Sequence, residues 1–349
     1  MDNDTQIWDG AIKGSPIEYI RKQRPRVVGV QVYTPSRNES LDILWEAKNF
    51  GAITVAGGPH IAPMYKQMIE EYPFIDYYVS GDGEYAWQNL TYMARYERGV
   101  VHVPKLQRNL INDLDELPLP AWNKINWRDY PKSRINIELG RGCDGQCVFC
   151  ASWWVTGAYR HHGVEWMTEH LSKLGSMGVK HLVFQDDCLT NSESAYNTLV
   201  RALLNARNRG YSFRWRGITR VDKIERYMIR ALKTLGLYNI GFGIESGSQT
   251  VLDKMNKHTS LERALKVRRW CTQEGVEFKA LMMRGFPFET PETRREDEEF
   301  RKKLNPNEWG SVGYIMVFPG TKLYRDLKKE GKISDDFWLG DEPYYKLGA

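Results

Sequence analysis

The sequence predicts an α/β protein in which a truncated, doubly wound Rossmann-like domain precedes a partial (βα)6 barrel of the TIM type. Three observations carry this. From residue 134 onward, apolar β-type runs alternate with amphipathic runs of helical length, the pattern of parallel strands joined by crossover helices. A shorter stretch with the same rhythm occupies the first hundred residues. Every strand candidate after residue 134 ends in a polar or Gly/Pro-rich loop, and ligands in parallel α/β folds bind at the carboxyl ends of strands.

In the N-terminal region, strands are expected at Thr5 to Trp8, Val27 to Val32, Ile53 to Ala56 and Tyr77 to Ser80. Helices are expected near Ile17 to Lys22, Leu41 to Asn49, Met64 to Glu71 and Tyr85 to Glu97. The turns Gly57-Gly58-Pro59-His60 and Gly81-Asp82-Gly83-Glu84 follow strands directly, as glycine-rich turns do in any doubly wound sheet. Residues 104–133, with Leu114-Asp115-Glu116-Leu117-Pro118-Leu119-Pro120, carry prolines and no periodicity and read as a linker. The expected division is therefore 1–103, linker 104–133, barrel 134–330 and an aromatic tail 331–349.

The barrel strands are expected at Arg134 to Leu139, His181 to Gln185, Phe213 to Ile218, Asn239 to Ile244, Val276 to Met283 and Val312 to Val317. Helical stretches run over Val164 to Met177, Ser194 to Arg209, Lys223 to Leu235, Leu261 to Glu274 and Glu292 to Leu304, with a further one at Leu323 to Glu330. Six units fall short of the eight of a complete barrel. Their terminal loops are Asp186-Asp187-Cys188, Thr219-Arg220, Glu245-Ser246-Gly247-Ser248, Gly285-Phe286-Pro287-Phe288-Glu289-Thr290, Phe318-Pro319-Gly320-Thr321 and a cysteine-rich loop after the first strand.

That loop, Arg141-Gly142-Cys143-Asp144-Gly145-Gln146-Cys147-Val148-Phe149-Cys150, holds three of the chain's five cysteines at C-x3-C-x2-C spacing. Thiolates are soft ligands that suit iron–sulfur clusters and zinc, and glycine lets the backbone fold back so that sulfurs converge. A structural zinc site takes four protein ligands, so three cysteines leave one metal position open. A zinc knuckle completed by His161, His162 or Cys188 stands beside the cluster reading.

The triplet, with an aromatic residue before its last cysteine, resembles the signature of the radical S-adenosylmethionine (SAM) enzymes. Strand-GIESGS, the GFPxET turn and the late PGT turn resemble the branch of that family whose catalytic domain follows a cobalamin (B12)-binding domain. Phe288 stands where that branch usually has glycine. The resemblance implies that Cys143, Cys147 and Cys150 bind three irons of a 4Fe-4S cluster and that SAM chelates the fourth. It implies SAM contacts from Asp186, Asp187, Arg220, Glu245, Ser246, Gly285, Pro287, Phe318 and Pro319. Cys188, on the same rim, is a candidate to reach substrate. Gly57, Gly58, His60, Gly81, Gly83 and Glu84 would face a cobalamin. No Asp-x-His-x-x-Gly loop occurs, and His60 and His102 are the only histidines before the cluster motif. The first strand of the cobalamin-type domain is expected to be missing.

The implied activity is reductive cleavage of SAM to a 5'-deoxyadenosyl radical that abstracts hydrogen from a substrate carbon, with cobalamin-dependent methyl transfer favoured. A cobalamin-independent cyclase, oxidoreductase or rearrangement enzyme is the alternative, and a non-catalytic zinc or iron–sulfur protein the alternative from another class. Expected partners are a small-molecule or peptide substrate and a reductase or a flavodoxin- or ferredoxin-type electron donor. The 349 residues, 42% hydrophobic, suffice for two cores, and the net charge of +5 is spread without long blocks, which argues against nucleic acid. No apolar run reaches membrane-span length and Met1 to Asp4 is unlike a signal peptide, so a cytoplasmic, oxygen-sensitive protein without a disulfide framework is expected.

Overall fold

The computed structural model describes residues 5–96, 106–130 and 134–340. Met1 to Asp4, His102 and the remaining parts of the expected linker and tail lie outside them. Two sheets organise the chain. The first is parallel, with strands β1 (Val27–Gln31), β2 (Ile53–Gly57), β3 (Tyr77–Gly81) and β4 (Leu106–Asn109) in that order.

This departs from expectation at both ends. Thr5 to Trp8 is not a strand. The Trp8 indole instead donates to the Gly14 carbonyl at 2.8 Å and lies against the Tyr19 ring at 4.9 Å, so the segment is held by the helical stretch after it. Residues 106–109 of the expected linker pair with β3 in register Tyr78↔Leu106 through Gly81↔Asn109. Backbone groups at a sheet edge recruit a short partner strand whatever its periodicity.

After a short β5 (Arg134–Ile137) comes a two-residue ribbon that the sequence did not signal, β6 (Gly140–Arg141) against β7 (Arg160–His161), antiparallel. The second sheet then collects β8 (His181–Phe184), β9 (Arg214–Thr219), β10 (Leu237–Glu245), β11 (Glu277–Arg284) and β12 (Glu308–Tyr314) in the order β12-β11-β10-β9-β8-β5, all parallel. Sequential strands are neighbours, with a crossover between each pair, the arrangement of a (βα)6 half-wound barrel. β10 is buried along nearly its whole length, which the apolar run Ile240-Gly241-Phe242-Gly243-Ile244 permits, and Phe242 stacks on Phe278 of β11 at 4.6 Å.

Helix ends follow capping chemistry. Ser192, Ser260, Thr290 and Thr321 each accept a backbone N–H three residues on, and Gly275, at φ 67°, closes helix Leu261–Glu274. One helix starts three residues later than its periodicity suggests, at Arg226. The Arg263 guanidinium takes the carbonyls of Val221 and Ile224 and keeps that stretch out of the helix. β12 starts four residues early because Asn307 exchanges hydrogen bonds with Phe278 while Glu308 binds Lys279 and Asn239, polar pairing that an apolar pattern does not reveal.

The described residues form two compact units. One gathers the residues up to Ile111, Phe149–Gly157 and the residues from Met316; the other gathers Asn112–Val148 and Ala158–Ile315. Among the described residues the chain passes between the two units four times. In the first unit, the expected tail contains a short helix, Asp336–Leu339, whose Trp338 is fully buried. Arg37, 1% exposed, donates to the carbonyls of Trp338, Gly340 and Thr34, and the Tyr72 hydroxyl donates to Leu339. Beside it, His60 is buried with Nδ1 3.1 Å from the Thr34 hydroxyl.

Burial, reinforced by Arg37, drives the His60 imidazole down to about 3. A histidine held neutral in the fold but protonated when unfolded contributes stability above its unfolded value near 6.5, and that contribution is lost as pH falls toward 3. Between about pH 7 and about pH 5 the first unit should lose about 2 kcal/mol on this account. Urea titrations followed by hydrogen exchange of the β1 to β3 amides check it: the midpoint falls on acidification in the wild type and falls less in His60→Gln. Equal falls in both contradict the assignment.

Candidate functional site

The cysteine loop leaves β5 and has little side-chain mass of its own, so its shape is imposed by the strand ends around it in the second unit. At its entrance the Asp186 carboxylate, at the end of β8, accepts the N–H groups of Leu139 at 3.1 Å and Gly140 at 2.7 Å. Asn191, 2% exposed, holds Asp144 from both sides: its amide donates to the carboxylate at 2.8 Å and its carbonyl accepts the Asp144 N–H at 3.2 Å. Further on, the Asn256 amide donates to the Gln146 carbonyl at 2.9 Å, and the Met255 carbonyl accepts the Val148 N–H at 3.0 Å. Gly142 sits at φ 91°, and a Cβ on Gly145 would lie 2.8 Å from Arg220 Nη1 and 3.3 Å from Cys143 Sγ. Both glycines are required by geometry, the first by its left-handed backbone and the second by close approach.

Charge gathers behind this loop. Arg220, at the end of β9 and 7% exposed, grips Asp222 through Nε at 2.9 Å and Nη2 at 3.1 Å. The same guanidinium donates to the Lys257 carbonyl at 2.5 Å and brings Nη1 to 3.7 Å from Cys147 Sγ. The pair with Asp222 is therefore a largely buried one, 9% and 27% exposed on its two side chains. Burial works against the Arg220 charge, but Asp222 and the neighbouring thiols outweigh it and hold the group charged. Glu245 ends β10 at φ 70°, a costly conformation for a residue with a Cβ, and binds Lys257 Nζ at 2.8 Å. Burial opposes the Lys257 charge too, and Glu245 together with Cys147 overcomes it.

The sulfurs respond to these surroundings. Burial pushes the Cys147 thiol up, while Lys257 and Arg220 pull it down. Cys143 receives the Gly145 N–H at 3.3 Å and shares a hydrogen bond with Cys188, which lowers Cys143 and raises Cys188. Cys188 is fully buried, its Sγ 3.4 Å from the Thr219 hydroxyl. Cys271 is a core thiol that burial pushes up to about 12. None of the five cysteines is in a disulfide. Cys150 lies in the segment Phe149–Gly157 of the first unit.

The other expected site residues are placed as follows. Asp186 is buried, which pushes it up to about 7 against the opposing pull of the two backbone N–H groups its oxygens accept; Asp187 is the exposed member of the pair. Ser246 is buried and accepts the Ser248 N–H at 3.1 Å, and Gly247 and Ser248 are held by Asp297 and Glu296. Gly285, at φ 87°, stands against the Tyr314 ring; Pro287 is exposed, and Phe288 stacks on Phe286 at 5.3 Å. Phe318 and Pro319 belong to the first unit, in a turn closed by Thr321 donating to the Phe318 carbonyl at 2.8 Å. In that unit, Gly57 ends β2 and Gly58 follows it, Gly81 ends β3, and Gly83 precedes the helix opened by Glu84. Gly58, at φ 101°, passes so close to Val32 that a Cβ would lie 2.8 Å from its carbonyl. Sequence reasoning missed Asn191, Asn256 and Lys257, which read as ordinary surface residues.

Among the described residues no three His, Cys, Asp or Glu side chains form a ready-made metal-binding group, so the fit of a cluster is judged on donor chemistry. Thiolates bearing an N–H···S bond and backed by two buried cations suit an anionic iron–sulfur cluster. The Tyr159 hydroxyl is buried without a hydrogen-bond partner, with Asp186, Cys188, Asp144 and Cys143 as its electrostatic neighbours, so it offers a further donor. The zinc alternative finds no support from the histidines. Both nitrogens of His161 are engaged, by His162 O and Ser194, while His162 binds Asp115 and stacks on Trp166 at 3.5 Å.

The pinning by Asp186 is testable. Asp186→Ala leaves two buried N–H groups without an acceptor, a cost of about 1–3 kcal/mol each. The thermal midpoint of the cluster-free protein should fall well below wild type, and Asp186→Asn, which keeps one carbonyl acceptor, should fall less. An unchanged midpoint in the alanine variant contradicts the pinning.

Comparison with known proteins matches two stretches of the chain. Residues 137–301 match the radical SAM superfamily and residues 9–91 match the B12 binding domain. An uncharacterized methyltransferase of Pyrococcus horikoshii is 27% identical over 93% of this chain and 74% of its own length. The anaerobic magnesium-protoporphyrin IX monomethyl ester cyclase of Cereibacter sphaeroides is 25% identical over 91% of this chain, which spans 56% of that enzyme. The solved structure of the radical SAM methyltransferase TsrM from Kitasatospora setae, with cobalamin and a [4Fe-4S] cluster bound, shares the fold at TM-score 0.73 and 19% identity, over 90% of this chain and 66% of that one. Residues 137–301 of this chain thus belong to the radical SAM superfamily and follow a B12-binding domain at residues 9–91, the domain order of the branch that carries a cobalamin-type domain.

Proposed function

We propose that this protein is a cobalamin-dependent radical SAM methyltransferase. The observation that carries the reading is the pairing, in one chain, of a B12-binding domain with a radical SAM domain whose cysteine loop is pinned beside buried cations. The 27% identity to a protein described as a methyltransferase supports it. When bound, the cluster and SAM supply one-electron cleavage of a carbon–sulfur bond, and cobalamin supplies the methyl group to be transferred.

The chain's own residues hold, orient and shield. Cys143, Cys147 and Cys150 hold the cluster, with Asp186, Asn191 and Asn256 fixing the loop that presents them. Asp187 is the exposed carboxylate for the SAM amino end, while Arg220 and Ser246 face its carboxylate and Glu245 its polar atoms. Gly285, Pro287, Phe318 and Pro319 flank adenosine. Gly57, Gly58, Gly81, Gly83 and Glu84 line the cobalamin side, where glycine permits close approach to backbone. His60, with its ring buried against Thr34 and Arg37, supports that turn from beneath. An electron donor of the flavodoxin, ferredoxin or reductase type and a small-molecule or peptide substrate complete the system in the cytoplasm. No helix among the described residues is long and apolar enough to cross a membrane.

A second reading, radical cyclisation or oxidation without methyl transfer, is supported by the 25% identity to the ester cyclase. Products separate the two. Methyl transfer gives S-adenosylhomocysteine together with 5'-deoxyadenosine, and cyclisation gives 5'-deoxyadenosine without S-adenosylhomocysteine. With the anaerobically reconstituted protein, reductant, SAM and cobalamin, both products are expected. Cys147→Ala should lose 5'-deoxyadenosine formation by at least about a hundredfold, the scale of losing a bound cofactor's support. Persistent cleavage by a variant with wild-type iron content contradicts the ligand assignment.

A further inference from the structure

Lys257, one of the two buried cations behind the cysteine loop, makes no contact with SAM in the scheme above. Lys257 follows helix Gln249–Lys254 in a turn whose residues on either side, Asn256 at φ 57° and His258 at φ 51°, both adopt the left-handed region. Left-handed backbone at residues that carry a Cβ persists where the surroundings enforce it. This turn grips the chain on both sides of Cys147, through Asn256 on the Gln146 carbonyl and Met255 on the Val148 N–H. Its centre supplies the carbonyl that holds Arg220, whose other nitrogen reaches Cys147.

The Lys257 side chain turns inward. Its side chain is 7% exposed and that of Glu245 is 11% exposed, and the pair is closed at 2.8 Å. Gly243 makes room for it: a Cβ there would lie 2.3 Å from Glu245 Oε1 and 2.9 Å from Lys257 Nζ. A buried ion pair of this kind is weak evidence for stability, because apolar replacements often serve the fold as well. Its position is better explained by what it faces.

Building on the assignment of the cysteine loop to the cluster, we propose that Lys257 is a positioning residue for that cluster: its turn fixes Cys147 from both sides, and its ammonium, held by Glu245, sets the charge around the cluster and hence its reduction potential. The geometry places this charge: the turn that carries Lys257 bonds the residues on both sides of Cys147, its carbonyl holds the guanidinium whose Nη1 lies 3.7 Å from Cys147 Sγ, and its ammonium is paired with Glu245 at 2.8 Å. Cluster potentials follow net charge and hydrogen bonding to sulfur, so a cation here favours the reduced state and a carboxylate disfavours it.

The test is an anaerobic redox titration of the full, reconstituted chain without SAM, reading the reduced cluster by electron paramagnetic resonance. In Lys257→Gln the ratio of reduced to oxidised cluster at a fixed poise should fall about tenfold, about 59 mV for a one-electron couple. In Glu245→Gln it should rise, and Lys257→Arg should stay within about threefold of wild type. Opposite shifts mark an electrostatic role, whereas a merely structural pair would lose cluster in both variants. If Lys257→Gln fails to hold iron, Glu245→Gln still decides, since an unchanged ratio there overturns the inference. Wild type that binds no cluster overturns the underlying assignment instead. Wild type that loads fully, with both glutamine variants unmoved or moved the same way, overturns this inference alone.

Discussion

Everything proposed for the second unit depends on a loop that is unable to hold itself. Of its ten residues two are glycines, and Cys147 and Val148 are its buried apolar side chains, so its conformational entropy has also to be offset from outside. The offset is a set of hydrogen bonds from outside the loop: Asp186 at the entrance, Asn191 at the first turn, Met255 and Asn256 around Cys147. Asp186 and Asn191 follow the end of β8, and Met255 and Asn256 follow the helix Gln249–Lys254 beyond β10, so the packing of these segments becomes the loop's geometry.

The same strand ends set the electrostatics. Arg220 and Lys257 would be expensive to bury alone, and each is compensated, by Asp222 and by Glu245. The compensation leaves two cations within the field of Cys147. A cluster held by three thiolates is anionic, so a binding loop in an uncharged shell would meet a growing penalty on every added electron. Left-handed backbone gathers in the same place, at Glu245, Asn256 and His258, and the pairing of β10 with β11 shifts register there, between Gly243 and Glu245.

Most of this architecture is legible in the sequence, for physical reasons that differ by element. Helix Leu261–Glu274 is found at both ends because Ser260 and Gly275 are local capping signals. The cysteine loop is found because ligand spacing is local as well. What escapes is non-local. Asn256 and Gln146 are 110 residues apart, and nothing near Lys257 in the chain announces that its charge is buried. β4 escapes because a sheet edge selects it, through backbone groups that carry no sequence pattern. The burial of Trp338 under Arg37 escapes for the same reason, as a tail that reads aromatic and unpatterned proves to be core of the first unit.

The central claim is that the cysteine loop holds an iron–sulfur cluster with one iron left for SAM. The most direct measurement is the electron paramagnetic resonance spectrum of the reduced, reconstituted protein before and after SAM is added, alongside its metal content. The account predicts about four iron and four sulfide per chain and a spectrum that changes on addition of SAM, because a fourth iron without a protein ligand accepts it. Stoichiometric zinc with no reducible cluster, or a cluster whose spectrum ignores SAM, would contradict it.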